Sequence, residues 1–258
     1  MIKVLTYNVN FALARRTELD DRGKCVIQAI TESNADIVVL QETHAGFELF
    51  FRDAFVETYP HQYYHNHPAA GGQAFLSKFP FGEHKQIHVQ KEIEGSWFPI
   101  NIMQVILPNS EKEERILQLV NVHLRPPVNP DGSAFIFTAR NTNKYRLAEV
   151  QYLAEQLHWN DEGLKYPTLI LGDFNENDSS PALTYLENTF KMVDALKEYV
   201  PGNRETHRWR ILYGYWLLKK RLDHILYSED IKCSDCHVID GYEENASDHQ
   251  PVLATIKL

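Results

Sequence analysis

The chain has 258 residues, 43% of them hydrophobic, which is enough for one large core. With 35 acidic residues against 26 basic, the net charge of -9 disfavours extensive sequence-independent wrapping of nucleic acid, although a local basic groove stays open. Three cysteines make a poor disulfide framework, and no apolar stretch approaches the length of a signal peptide or membrane span.

These bounds lead to the expectation of a soluble, cytoplasmic monomer with no integral membrane association. No Ser/Gly-rich linker, low-complexity run or solenoid-period repeat divides the chain, so a single domain over 1–258 is expected.

The first element is a short strand over 2–7 that delivers Asn8 at its end. Val26, Ile27 and Ile30 form the apolar face of a helix over 18–33. The continuous run DIVVLQ at 36–41 reads as a strand buried on both faces, and Glu42 follows it. Gly71-Gly72 opens a strand GQAFLS that stops at Phe79-Pro80. Residues 100–107 and 116–123 form a strand pair around the charged turn 109–114. A loop rich in Pro and Asn covers 125–131. A helix over 140–157 then carries Leu147, Val150, Ala154 and Leu157 on one stripe.

TLILG at 168–172 is another buried strand and delivers Asp173 and Asn175. Ser180-Pro181 starts a helix, serine as cap and proline at the first helical position. Strands over 222–227, 236–239 and 252–257 complete the set. Strand–helix alternation early and strand pairs elsewhere predict an α/β or α+β domain with more than one sheet layer. If the polar groups from Asn8 to His249 share a site, the two ends of the chain must meet on adjacent strands.

Those polar groups sit mostly where an apolar strand ends, the place where a rigid scaffold presents reactive side chains. A phosphodiester resists hydrolysis because its oxygens repel nucleophiles and its leaving alkoxide is poor. A site must supply positive charge, an activated water and protection for the leaving oxygen. Glu42 is a ligand of the kind Mg²⁺ or Mn²⁺ takes, and Mg²⁺ often uses only one or two carboxylates. Asn8 suits orienting Glu42 or a water on the metal. Asp173 suits binding and deprotonating the attacking water, and Asn175 suits donating to a phosphate oxygen. His123 and His249 offer N–H donors, and a protonated imidazole assists departure of the leaving group. Either Asp223 or Asp248 can pair with a histidine and raise its pKa.

In order, TYNVN, QET, NVHL, GDFN, RLDH and ASDH make the chain resemble the endonuclease/exonuclease/phosphatase family, the DNase-I-like superfamily, and GGQAFLSKFPF is similar to a further segment of that family. The resemblance covers essentially the whole chain. It implies a four-layer α/β/β/α sandwich, two packed mixed sheets flanked by helices, with one metal-dependent phosphoesterase site. It implies Glu42 at the metal with Asn8 and Asp248 beside it, Asp173 and Asn175 at water and phosphate, and Asp223 paired with a phosphate-contacting His249. It also implies a substrate contact at Arg146. NVHLRPP stands where abasic-site endonucleases carry a YVPN-type segment, which leads away from abasic-site repair. The histidine form is shared by DNase-I-like nucleases, sphingomyelinases, inositol-phosphate phosphatases, tyrosyl-DNA phosphodiesterases and deadenylases.

Plainer readings compete for each motif taken alone. GDFN also fits an ordinary Asx turn. DFNEND starts like a calcium loop, but Asp178 stands at the glycine position and Thr184 at the closing acid, so an EF-hand is rejected. Cys233-Ser-Asp-Cys236-His237 lacks a second ligand pair and reads as structural. The span 204–221 interleaves basic residues with Trp209, Tyr213, Tyr215 and Trp216, a pattern that grips phosphates and stacks bases. Arg208, Trp209 and Arg210 are its substrate-binding candidates, against a core-covering loop. The 126–137 segment, with Phe135 and Phe137, reads as a solvated connector or a recognition rim.

The expectation is therefore a Mg²⁺- or Mn²⁺-dependent phosphoesterase acting on a nucleic-acid or nucleotide-linked phosphodiester. A phospholipid or inositol-phosphate substrate is the alternative. A binding module that keeps the fold without turnover is the alternative of another class.

Overall fold

Along a strand, successive side chains point to opposite faces, and in the central strands of this protein both faces are buried. The computed structural model describes residues 1–10, 19–67, 71–108, 114–129, 136–157, 163–202, 205–211, 216–241 and 246–258, with the backbone alone at 19–20, 136–137, 139–140, 209–211 and 216–218. In chain order the elements are β1 (Ile2–Asn8), α1 (Leu19–Ser33), β2 (Ile37–Thr43), α2 (Ala45–Phe55), β3 (His61–His65), β4 (Gly72–Ser77) and β5 (Phe81–Ile87). Next come α3 (Val89–Glu92), β6 (Ile100–Leu107), β7 (Arg115–His123), α4 (Ile136–Gln156), β8 (Thr168–Asp173), α5 (Pro181–Phe190), β9 (Val193–Asp194) and α6 (Ala195–Tyr199). The last are β10 (His207–Ile211), β11 (Trp216–Lys220), β12 (Asp223–Tyr227), β13 (Lys232–Val238) and β14 (Val252–Lys257).

Two mixed six-stranded sheets form, in the orders β13-β14-β1-β2-β4-β3 and β5-β6-β7-β8-β12-β9, and β10 pairs with β11 separately. The first and last strands of the chain are antiparallel neighbours, Ile2 opposite Ile256 and Thr6 opposite Val252, so the two termini do meet. β1 and β2 run parallel, as do β7 and β8.

The alternation sorts the apolar residues into three layers. Val4, Val39, Phe75, Leu119, Leu171 and Ile225 face inward and fill the space between the sheets. Leu5, Val38 and Leu40 point outward from the first sheet onto Val26, Ile30, Phe47 and Phe51 of α1 and α2. Val120, Val122 and Ile170 point outward from the second sheet onto Val150, Leu153 and Leu183 of α4 and α5. The predicted four-layer α/β/β/α architecture is the one observed.

The predicted strands and helices are present with shifted ends: the helix expected over 140–157 begins at Ile136, and the strand expected over 236–239 starts at Lys232. Helix α2 was not anticipated, although Phe47, Phe51 and Phe55 recur at four-residue intervals and are all buried. Edge strands β3 and β5 were also missed. Four successive residues of β5, from Gly82 to Lys85, are exposed, so no inward apolar row marks it.

Candidate active site

The inward rows explain where the polar groups meet. In β1 the row runs Val4, Thr6, Asn8. In β7 it runs Leu117, Leu119, Asn121, His123, in β8 Leu169, Leu171, Asp173, and in β12 Tyr227, Ile225, Asp223. Each row is apolar in the middle of the sandwich and polar at one end. Register aligns those ends: His123 is opposite Asp173, and Asp173 is opposite Asp223. Below them Gln41 Nε2 donates to Asn121 Oδ1 at 2.9 Å and to Thr6 Oγ1 at 3.1 Å, joining the two sheets through buried polar groups. Gly172 precedes Asp173 at φ +138, and a Cβ there would lie 2.1 Å from the Val122 carbonyl oxygen. Only glycine lets β8 approach β7 this closely.

Glu42 breaks the alternation. Ile37 and Val39 face inward, so residue 42 in a regular strand would point toward α1 and α2. The register with β4 shifts between Gln41 and Thr43, and Glu42 adopts φ +54. That left-handed conformation costs a non-glycine residue about 1–2 kcal/mol and turns the carboxylate into the cleft. Asn8 Nδ2 donates to Glu42 Oε1 at 3.0 Å and to Asp173 Oδ2 at 2.9 Å, so one amide holds a carboxylate from each sheet. Its Oδ1 is turned away and accepts the Asn10 N–H. Asn8 is therefore placed to orient both carboxylates.

Asp173 is 2% exposed. Its Oδ1 accepts the Asn175 N–H at 2.8 Å, while Oδ2 faces His123 Nε2 at 3.8 Å and His249 Nε2 at 3.7 Å. The Asx turn anticipated as the plain reading of GDFN is present, and it is what aims Oδ2 into the cleft. Asn175 Nδ2 donates to the Leu124 carbonyl at 3.0 Å, leaving its second N–H for a ligand.

The two histidines differ in charge. His249 Nδ1 donates to Asp223 Oδ2 at 2.8 Å. Burial alone would favour neutral imidazole, but Asp223 and Asp173 outweigh it and raise the pKa well above 6.5. His123 lies 3.5 Å from Glu42 Oε1, and its Nδ1 has no hydrogen-bond partner among the described residues. Burial pushes its pKa down to about 4. Phe98 stacks on the His123 ring, with centroids 4.4 Å apart and planes 16° apart.

Asp248 stands at the rim. Its Oδ1 accepts from Asn10 Nδ2 at 2.7 Å and its Oδ2 lies 3.5 Å from His207 Nε2. Burial opposes its ionisation, yet the hydrogen bond from His207 and the nearby charge of His249 hold its pKa well below the usual value. It groups with His207 and His249 rather than directly with Glu42, His123 and Asp173.

Arg146 was expected at the substrate. It is 1% exposed, its Nε donates to Glu176 Oε1 at 2.9 Å, and its Nη1 donates to the Arg125 carbonyl at 2.8 Å. The guanidinium clamps the segments that follow His123 and Asn175. Arg208 Nη2 lies 3.6 Å from Glu205 Oε1. The side chains of Trp209 and Arg210, together with Arg204, Phe135 and Phe137, lie outside the described residues.

Thr206 was missed by the sequence reading, and His207 was read there only as one of the basic residues of the 204–221 span. The buried Thr206 hydroxyl accepts the N–H groups of Leu222 and Asp223, both at 3.0 Å, and the Thr206 carbonyl accepts the Gln250 N–H at 2.7 Å. One residue thus fixes Asp223 relative to His249. The His207 ring packs on His249 with centroids 4.4 Å apart. Neither residue ends an apolar run, so nothing in the sequence marked their place beside Asp223 and His249.

The donor set fits a hard divalent cation. Ligand atoms of Glu42, His123 and Asp173 lie within 4.8 Å of one another. Burial first, and then the neighbouring charges of Asp173 and Asp248, push the Glu42 carboxyl up to about 7. Burial disfavours the ionised Glu42 carboxylate, and a bound cation would offset that penalty.

The sequence profile of the endonuclease/exonuclease/phosphatase family matches residues 5–249, and the chain belongs to that family. A search of curated proteins finds no match. Among solved structures, truncated TDP2 from Caenorhabditis elegans is 21% identical with a TM-score of 0.69, covering 100% of this chain and 98% of that one. The human Nocturnin catalytic domain with bound sulfate is 15% identical with a TM-score of 0.71, covering 99% and 93%. D. rerio TDP2 complexed with single strand DNA product is 14% identical with a TM-score of 0.70, covering 100% and 99%. At these identities the likeness is one of fold.

Proposed function

We propose that this protein is a divalent-metal-dependent phosphoesterase that hydrolyses a phosphodiester in a nucleic-acid or nucleotide-linked substrate. The reading is carried by the meeting of Glu42, His123, Asp173 and His249 in one cleft, with Asn8 holding a carboxylate from each sheet. Mg²⁺ or Mn²⁺ held by Glu42, with Asp248 farther out at the rim, supplies Lewis-acid stabilisation of phosphoryl charge when bound.

This chain's own groups do the rest. Asp173 Oδ2 orients the attacking water and takes its proton as the new P–O bond forms. His249 lies across the cleft as imidazolium, made so by Asp223, and gives its Nε2 proton to the alkoxide as the old P–O bond breaks. His123, neutral, offers a hydrogen bond to a non-bridging oxygen, and the free N–H of Asn175 offers another. The lean to nucleic acid is supported by the basic and aromatic content of the 204–221 sequence, whose backbone meets the site at the bridge between His207 and His249. It is also supported by the DNA-bound TDP2 neighbour.

Hydrolysis of bis(p-nitrophenyl) phosphate with Mg²⁺ or Mn²⁺, with and without EDTA, tests the chemistry, with Glu42→Gln as control. Metal-dependent release that EDTA and Glu42→Gln both abolish is expected. Folded protein without turnover in any divalent metal would point to a binding module. A panel of DNA, RNA, sphingomyelin and inositol phosphates then tests the substrate class.

A further inference from the structure

Outside the catalytic cluster, a cavity of about 710 Å³ borders the loop that continues from Asn175. Asn177, Ser179 and Ser180 line one side, and Lys219, Lys220 and Arg221, just upstream of Asp223, line the other. Two of its three cations are matched. Lys219 Nζ lies 2.7 Å from Glu205 Oε1, and Arg221 Nη1 lies 3.1 Å from Asp178 Oδ2. These pairs cancel and leave Lys220, which has no carboxylate within ion-pair distance among the described residues.

Lys220 is half-buried, and burial beside the positive Arg146 holds its ammonium below the usual lysine value. A cation withdrawn from water without a counter-ion is unfavourable, and an anionic ligand removes that penalty. On the same wall the Ser180 hydroxyl makes no hydrogen bond to the start of α5, whose Ala182 N–H is taken by Glu176 Oε2 instead. The hydroxyl is a donor left for something in the cavity. Asp178 Oδ1 is buried and unpartnered among the described residues, and it offers an acceptor for a ligand hydroxyl beside the anionic group.

Strand register connects this cavity to the cleft. Lys220 is opposite His207 in the β10–β11 pair, and His207 is opposite His249. Directly opposed residues of antiparallel strands project to the same face, so Lys220, His207 and His249 form one row. With strands about 4.8 Å apart, the Lys220 backbone is about 10 Å from that of His249, a separation that a lysine side chain and a nucleotide sugar span together.

We infer that the cavity is a second anion subsite, in which Lys220 with Asn177, Ser179 and Ser180 binds a substrate phosphate other than the one cleaved. This deepens the phosphoesterase reading and rests on it for which phosphate is cleaved. The ligand class is a substrate carrying at least two phosphates separated by a hydroxylated or sugar-like spacer.

The test compares two chromogenic substrates that differ by one phosphate, thymidine 5′-(p-nitrophenyl phosphate) and the same compound with a 3′-phosphate. The native protein is expected to show a KM about tenfold lower for the second. Lys220→Met should compress that ratio to near one, and Lys220→Arg should keep most of it. No preference in the native protein, or an unchanged preference in Lys220→Met, overturns the subsite.

Calorimetry on the metal-free protein with thymidine 3′,5′-bisphosphate and thymidine 5′-monophosphate asks the same question without turnover. A preference for the bisphosphate that Lys220→Met removes supports the subsite even if no hydrolysis is seen, whereas a preference that survives overturns it. Inositol 1,4-bisphosphate against the monophosphate distinguishes the source. A Lys220-dependent preference there supports recognition of a second phosphate on any scaffold, and one confined to the thymidine pair supports a nucleotide.

Discussion

His123 and His249 stand at almost the same distance from Asp173 Oδ2, 3.8 Å and 3.7 Å, yet their protonation states are opposite. Distance to the shared carboxylate therefore does not set their charge. What differs is the other side of each ring. His249 turns Nδ1 to the buried carboxylate of Asp223, whereas His123 Nδ1 meets no partner among the described residues and its face is covered by Phe98. Burial prevails at His123 and the carboxylates prevail at His249. One corner of the cleft can move a proton, and the other holds a dipole in place.

The largest effect is expected where the comparison is anchored. Asp173→Asn keeps the shape but removes the charge that both histidines face and the base that receives the water proton. A fall in kcat of about 10³-fold or more, roughly 4 kcal/mol of barrier, is expected, with fold and metal binding intact. Near-native turnover would remove Asp173 from water activation. Next comes Asp223→Asn, which acts on the His249 corner alone. A kcat loss of about 10²-fold is expected.

The sign of the pH effect follows from the raised His249 pKa. The acting form is the imidazolium, so activity persists up to the folded pKa and falls above it. Asp223→Asn lowers that pKa and should move the alkaline limb of the kcat profile to lower pH. An alkaline limb that stays in place would assign it to another group. On the His123 side the effect should be smaller. Phe98→Leu is expected to reduce kcat by about fivefold to tenfold, with KM nearly unchanged and Phe98→Tyr near native. A loss confined to KM would mean that Phe98 touches substrate instead of holding the imidazole.

This contrast also separates what could be read in the sequence from what could not. His123, Asp173 and Asp223 occupy inward positions at the ends of strands whose inward rows are mostly apolar, so an apolar run bounded by a polar residue marked them. Glu42 was found for the same local reason, but its direction depends on the bulge at Gln41–Thr43 and on φ +54, which the alternation does not encode. Asn8 was expected at the metal, and only the cross-sheet geometry shows its amide divided between Glu42 and Asp173. The Asp223–His249 pair was expected from the family resemblance, but the contrast in charge between the two histidines was not legible. It depends on Asp223 lying 2.8 Å from one ring and Phe98 on the other, pairings of residues 26 and 25 positions apart that no local pattern marks. Arg146 was expected at substrate from the family resemblance alone, and its buried contact to Glu176 comes from tertiary packing that no local pattern shows.

An effect on stability with none expected on the chemistry lies behind His123, at Glu149 of α4, whose Oε2 accepts the Arg125 N–H at 2.9 Å and so anchors the segment two residues beyond His123. Glu149 is 2% exposed, and burial pushes its carboxyl up to about 7, with the Arg125 hydrogen bond and the charges of Arg146 and Arg125 only partly opposing this. The folded pKa is above the unfolded value of 4.5, so between those limits the folded protein keeps a proton that the unfolded chain releases. Its contribution to stability is fully present below about pH 4.5 and is lost as pH rises through about 7. Glu149→Gln keeps an acceptor for Arg125 but cannot ionise. Relative to the native protein, the variant should gain about 1–3 kcal/mol between pH 5 and pH 8. Taking the difference between the two proteins cancels Asp194 and Asp248, whose lowered pKa values act in the opposite sense, and His249, which is common to both. Urea unfolding at the two pH values measures it. Parallel stability curves would mean that Glu149 is ionised in the folded state at both, with its charge held by Arg125 and Arg146.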